Sequence, residues 1–415
     1  MNRFCRVSFA LLSFLSLGAW VDSAAAKSIF SFNGVGDTER RVDVRARGMG
    51  GAGRALADSL NFSSANPALL AAFSRAGLQS RFFVQRRSLN DGQRRHVVSD
   101  GDIGAFQLVL PVRNGIVLGA GLEPLTDLDF DLVRTVSSTS VPYELRVNAT
   151  GGIQAFTIGL AHGWGRFLLG GNLSIISIGT IKETWTKDFG SVGPDGDLRS
   201  VLLDSNNRQI SEHLNSEDRY VRTHSGAQPT LGAVYRRGGK WYFGASFRAP
   251  ATITQTRILR NFFAEIGFEE ETRSTLDLKM PASIGVGLAY RPGYRWLAAL
   301  DFERAFWEKT EPGRYNTTDL AGGVLYRLGD PDSRRTRRRI ELTAGAHYRS
   351  LYFKTGGNSQ IGELGVSLGI SLPFETRGAG SFRYVIEFGR RGDVTTHGAS
   401  ERFVMQTFSL SGWLN

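Results

Sequence analysis

Four places in this chain carry residue types that could do chemistry. Gly48-x-Gly50-x-x-Gly53 has the glycine spacing with which a strand-to-helix turn brings backbone against a pyrophosphate. That use also needs a βαβ unit and an acidic residue about 20 positions on. Neither is present, so a nucleotide site is set aside. Gly365-Val366-Ser367-Leu368-Gly369 has nucleophile-elbow spacing, yet it lies inside an uninterrupted alternating segment rather than at a sharp turn that would raise the serine hydroxyl. His96, His162, His213, His224, His347 and His397 form no pair at helical or finger-like metal spacing, so no metal and no cofactor is expected. The run Arg334, Arg335, Arg337, Arg338, Arg339 would attract polyanions but reads as a solvated turn. Catalysis is not expected, and lipolysis through Ser367 is the weakest reading.

What remains suits recognition of apolar molecules. In the stretch 255–272, Ile258, Leu259, Phe262, Phe263 and Ile266 recur at helical spacing and would give a greasy face on an exposed loop. Val201, Leu202, Leu203, Ile210 and Leu214, in the stretch 181–228, would offer an opposite wall. An arginine such as Arg81 or Arg260 could pair with a carboxylate head group, and no sequence feature selects between them.

The elements that must position these residues begin after an export signal. Met1 to Ala26 has a basic start (Arg3, Arg6), an apolar run from Val7 to Val21, and Ala24-Ala25-Ala26 as a cleavage site. The only cysteine, Cys5, falls within it, which leaves the remainder without thiol chemistry. Without Arg3, Arg6 and Asp22 the net charge drops from +11 to +10. The arginines are spread among strand-like segments and turns, which fits an anionic membrane surface such as lipopolysaccharide and gives no reason to expect nucleic acid. No later stretch has the roughly 18 to 20 continuous apolar residues of a spanning helix, so an exported membrane chain of this kind must be a barrel.

Fourteen alternating segments support that fold. They lie near 78–87, 103–112, 116–124, 153–162, 167–180, 229–236, 240–254, 273–290, 295–306, 317–327, 339–348, 361–373, 380–390 and 401–413. Leu364, Val366, Leu368, Ile370 and Leu372 alternate with Glu363, Gly365, Ser367, Gly369 and Ser371, which predicts one lipid-facing and one lumenal face. Connections alternate between short turns and long loops, as in an up-and-down barrel. The expected organisation is a signal peptide over 1–26, an irregular N-terminal hatch over 27–76 and a fourteen-stranded antiparallel transmembrane β-barrel over 77–415.

The hatch carries the most specific pattern. Gly48-Met49-Gly50-Gly51-Ala52-Gly53 permits close backbone approach, and Asn66-Pro67-Ala68 marks a turn. The glycine-rich segment, the later Ala57-Asp58 and the Asn-Pro-Ala resemble the hatch of the FadL/TodX family of outer-membrane transporters for long-chain fatty acids and other hydrophobic compounds. Related PorV-type barrels share much of it. Met280-Pro281-Ala282, the glycine-rich run to Tyr290, and Arg295-Trp296 resemble a strand pair of the same family.

The resemblance implies a passive transporter in the bacterial outer membrane, inserted by the barrel-assembly machinery, with a hydrophobic small molecule such as a fatty acid as its ligand. It implies gating by Gly48, Gly50, Gly51, Asn66, Pro67 and Ala68. Capture would fall to Ile258, Leu259, Phe262, Phe263 and Ile266, and an inner pocket to Ile29, Phe30 and Phe32, with exit through the barrel wall. A PorV-like accessory barrel of a secretion system stays open beside it.

Overall fold

The computed structural model describes residues 28, 30, 35–57, 62–92, 95–136, 143–188, 216–263, 268–328, 340–354, 359–374 and 380–413. The expected export signal, Ile29, Phe32, Ile266, the apolar residues between Val201 and Leu214, and the Arg334–Arg339 cluster lie outside them.

The strands, in chain order, begin with β1 (Asp37–Thr38), β2 (Gly77–Asn90), β3 (Arg95–Pro111), β4 (Ile116–Asp127), β5 (Phe130–Val136), β6 (Tyr143–Trp164) and β7 (Phe167–Ile178). Next come β8 (Thr180–Asp188), β9 (Ser216–Arg237), β10 (Trp241–Arg248), β11 (Ala251–Phe263), β12 (Phe268–Met280) and β13 (Ser283–Tyr290). The last are β14 (Trp296–Ala305), β15 (Thr317–Arg327), β16 (Glu341–Lys354), β17 (Gln360–Pro373), β18 (Gly380–Asp393) and β19 (Ala399–Trp413).

Fourteen positions form a closed antiparallel barrel, because β19 pairs with β2 from Ser400↔Asn90 to Trp413↔Gly77 and leaves no free edge. Each of the fourteen expected segments overlaps one barrel position. β5, β8, β11 and β12 continue β4, β7, β10 and β13 toward the long-loop rim. Two unbroken strands of 22 residues, β6 and β9, splint the first three of these, while β12 and β13 pair with β11 and β10. At ~3.3 Å per residue β6 and β9 are each about 70 Å long, more than even a tilted span of a bilayer requires. Three of the four breaks have local causes. Pro250 and Pro281 withhold ladder donors, and Gly179 takes a φ of 101° that a side chain would disfavour.

One sequence expectation is overturned here. The stretch 255–272 is not helical but a hairpin of β11 and β12, with Phe262 opposite Glu269 and Leu259 opposite Thr272. Residues four apart share a face in a strand as well as in a helix, so the spacing of Ile258 with Phe262 could not separate the two. Consecutive Ile258 and Leu259 therefore point to opposite faces and form no single greasy stripe. The long connections left between the segments near 116–124 and 153–162, and between those near 167–180 and 229–236, likewise contain strand continuations.

Outward positions are apolar and inward ones small or polar: Leu364, Val366 and Leu368 are exposed, while Glu363 and Ser367 are buried. A wall of this kind is stable where hydrocarbon covers it, and the fourteen barrel strands close on themselves, so the barrel satisfies its backbone within a membrane, whereas β5 pairs only with β6 and β12 only with β11 in the extension beyond it.

The hatch fills the lumen. A single helical turn, α1 (Val44–Arg47), is capped by Asp43, which accepts from the Ala46 amide at 2.9 Å. A 3-10 turn over Pro67–Ala72 is capped by Asn66. Met49, Ala52, Asn66, Ala68 and Leu69 are wholly buried. They can sit so close to the wall because it presents glycine to them. A Cβ at Gly170 would lie 2.6 Å from the Pro67 carbonyl oxygen, and one at Gly323 2.5 Å from the Met49 Cα. Gly50, at φ 72°, lies against the backbone of Ala346.

Gly345→Val puts a branched side chain into the Met49–Gly50 backbone, an overpacking cost of about 1–3 kcal/mol or more. The expected outcome is a barrel that still resists unfolding in gel-shift assays but whose hatch is cut by trypsin near Arg47 or Arg54. A hatch as protected as in the parent would contradict this docking.

Candidate functional site

Inside the barrel, charges on the hatch meet opposite charges on the wall at successive heights. Nearest the long-loop rim, Asp37 pairs with Arg391 at 2.7 Å and Arg349 at 3.3 Å, with Arg87 at 3.9 Å. Glu363 on β17 accepts from Arg391 Nε at 2.7 Å and from Arg349 at 3.2 Å, which ties the two arginines together. Lower down, Arg40 reaches Glu387 (2.9 Å), Arg45 reaches Glu341 (3.0 Å) and Arg383 reaches Asp43 (3.3 Å). Arg54 pairs with Glu303 at 2.5 Å and also donates to Ser246. All are buried or nearly so, where losing one partner strands the other at a cost of about 3–5 kcal/mol.

Backbone bonds complete the lock. Asp301 Oδ2 on β14 accepts from the amides of Gly53 (2.9 Å) and Arg54 (2.8 Å). Ser367 accepts from the Gly50 amide at 3.0 Å. The serine of the elbow-like motif is therefore a docking point on a flat strand, buried and committed to the hatch.

Above this layer the lumen changes character. Leu125, Leu128, Phe130, Ile153, Ile176 and Ile253 form one apolar cluster with Trp307, Tyr352 and Ile361, and Phe30 and Val35 from the N-terminal segment are packed into it. Tyr352 stacks on Trp307 at 4.1 Å, accepts from the Val35 amide (3.1 Å) and donates to the Gly36 carbonyl (2.8 Å). Between this apolar cluster and the ion pairs lies a cavity of about 120 Å³ that touches Trp307, Arg41, Arg248, Arg349 and Glu303. It has room for a few waters, not for an acyl chain.

The sequence-predicted residues divide between these parts. Gly50 bonds the wall, and Gly48 leaves no space for a side chain beside Thr343. Gly51 takes a φ of 102°, with Arg40 close by. Asn66 acts as a tie, donating to the Arg54 carbonyl at 2.8 Å and to Ala233 on β9 at 3.2 Å, while its oxygen holds the Ala68 amide. Pro67 rests on Gly170. Phe30 lies in the apolar chamber.

The capture residues are not brought to it. Ile258 and Leu259 are half-buried on β11, Phe262 is exposed near its tip and Phe263 follows as its last residue. On β11 it is Ile253 that reaches the chamber. Neither arginine named for a head group is free for one: Arg81 donates to the Val42 and Gly104 carbonyls, and Arg260 pairs with Glu271. The wall carboxylates and arginines were missed. Their signal was charge on the face opposite the lipid, as in Asp301 and Glu303, or Arg383 and Glu387.

Fold and site together define a plugged fourteen-stranded transmembrane barrel with a charge-locked hatch. The BamG family model matches residues 3–413, so the chain belongs to the BamG family. Its fold is that of the FadL/TodX barrels. It superposes on the Pseudomonas putida toluene transporter TodX with a TM-score of 0.58 at 16% identity, covering 91% of this chain and 100% of that one. A Pseudomonas aeruginosa FadL homologue gives 0.58 at 14%, covering 90% and 98%. The CymD monoaromatic hydrocarbon channel gives 0.56 at 16%, again covering 90% and 98%. Comparison with curated proteins finds no match.

Burial would raise the pKa of Asp37, but Arg391, Arg349 and Arg87 outweigh it and hold the carboxyl below its ordinary value. Such a group contributes stability above the unfolded value of about 3.9, and the contribution drains away as pH falls through the folded value. Pepsin digestion across about pH 5 to 2 should show hatch protection falling at the acid end. Asp37→Asn should weaken protection already at pH 5 and flatten that fall; an unchanged profile would contradict the assignment.

Proposed function

We propose that this protein is a bacterial outer-membrane transporter of hydrophobic small molecules, fatty acids among them, that takes its ligand into the apolar chamber at the long-loop end. The observation that carries this reading is the apolar cluster packed at that end, which an entering ligand would open. Barrel interiors are ordinarily polar, whereas here the half nearest the long loops is lined by aliphatic and aromatic side chains and stoppered by Phe30 and Val35 of the chain's own N-terminal segment. An apolar ligand that displaces those two residues stays out of water, which is its thermodynamic reason to enter.

The charged layer below forms a floor, so onward passage requires the hatch to shift. Exit through the wall keeps the ligand against hydrocarbon or apolar side chains. The strand breaks at Pro250 and Pro281 are places where the ladder lacks a donor. Export behind a signal peptide, insertion by the barrel-assembly machinery and contact of the long-loop rim with lipopolysaccharide belong to the same reading. The named activities of TodX and CymD, toluene transport and monoaromatic hydrocarbon passage, fit an aromatic-rich chamber.

Mass spectrometry of small molecules extracted from the purified protein tests this, with an unrelated barrel purified in parallel. A fatty acid or aromatic hydrophobe enriched on this protein, and lost in Ile153→Glu without loss of the folded barrel, is expected. An empty chamber together with a co-purifying protein would overturn transport in favour of an accessory barrel serving a protein complex.

A further inference from the structure

The two rims are charged in different ways. At the long-loop rim several cations are matched: Arg146 with Asp131 (2.6 Å), Arg260 with Glu271 (2.9 Å), Arg390 with Asp393 (3.2 Å) and Lys187 with Asp218 (3.6 Å). At the short-turn rim, successive turns carry Arg113, Arg166, Arg237, Lys240 and Arg295, and no acidic residue stands in 112–116, 163–167, 236–241 or 290–296. Among the described residues no carboxylate pairs with any of these five.

Strand order and backbone bonds keep these turns together. β4 pairs with β6 up to Ile116↔His162, the Arg236 amide donates to the Arg166 carbonyl (2.8 Å), and the Arg291 amide donates to that of Lys240 (2.8 Å). The cations thus form an arc instead of scattering around the circumference.

Just above the arc runs an aromatic girdle. Trp164, Phe167, Trp241 and Trp296 are all exposed, Trp164 at 73%. Trp241 packs on Tyr290 at 4.2 Å and Phe167 on Tyr235 at 5.0 Å. Such girdles mark the level of lipid head groups. From the same sector a furrow rises along the outer wall between Ile116, Leu160, Leu169 and Leu231, opened by Gly171, which leaves a gap among the leucines. A soluble acidic protein would meet the arginines but not a furrow that faces hydrocarbon. A phospholipid matches both.

We propose that this sector binds an anionic phospholipid of the leaflet at the short-turn rim, its head group on Arg113 and Arg166 with Arg237 beside them, and an acyl chain in the furrow. The proposal rests on the membrane-barrel fold and not on the transport reading, so either can fail alone.

The test uses the full-length protein in vesicles of equal phosphatidylglycerol and phosphatidylcholine, extracted in mild detergent, with retained lipid quantified by mass spectrometry. Phosphatidylglycerol should be enriched at least about fivefold, since each basic residue near an anionic surface is worth roughly that factor. The triple variant Arg113→Gln, Arg166→Gln, Arg237→Gln should lose the enrichment, and the corresponding triple lysine variant should keep it, which separates lost charge from lost folding. Arg260→Gln at the opposite rim should leave it unchanged. Equal retention of both lipids by the parent, or enrichment that survives the triple glutamine variant, would overturn the proposal. So would capture of an acidic protein at this rim without lipid selection.

Discussion

A charge inside a barrel has little water to solvate it, so it persists there only beside its opposite. The structure depends on this constraint. Along the hatch the order of signs is Asp37, Arg40, Asp43, Arg45, Arg54, and the wall answers with Arg391, Glu387, Arg383, Glu341 and Glu303. Sliding the hatch to another register would set like charges against each other or strand several in the lumen. The pairs therefore define where the hatch sits more sharply than they raise net stability, because much of their attraction offsets desolvation. The glycines of the wall make the pairing geometrically accessible by letting backbone meet backbone, and Asp301 uses that closeness to hold two consecutive amides.

The same layer divides the lumen. Above it, inward side chains turn apolar and the chain's own Phe30 and Val35 lie among them; below it, Phe62, Phe73 and Trp413 close the short-turn end, with Phe62 and Phe73 edge to face at 4.8 Å. On the transport reading proposed above, a hydrophobic ligand would meet an apolar cluster with a charged floor. Opening that floor means moving a segment whose charges must find new partners as they go, which gives a physical reason for a closed resting state.

Much of the fold was legible because a barrel strand writes its two environments into alternate residues. Leu364, Val366 and Leu368 against Glu363 and Ser367 named the lipid and lumenal faces, and the short turns at Asn114-Gly115 and Gly238-Gly239 marked one rim. The glycine run and Asn66-Pro67 marked stretches that the structure buries against the wall. The hairpin of β11 and β12 was not, because Ile258 and Phe262 share a face in either secondary structure. The ion pairs were hidden for another reason. Each joins residues far apart in the chain, as with Asp37 and Arg391, and which carboxylate meets which arginine is decided only when the barrel closes.

Hydrogen exchange on the folded protein in a bilayer tests the central claim most directly. If the hatch is locked by wall carboxylates and glycine contacts, the amides of Gly50, Gly53 and Arg54 will exchange as slowly as those of the neighbouring strands β14 and β17, far more slowly than the long-loop hairpin tips. Exchange of these amides at the rate of an unstructured segment, with the strands still protected, would contradict the account.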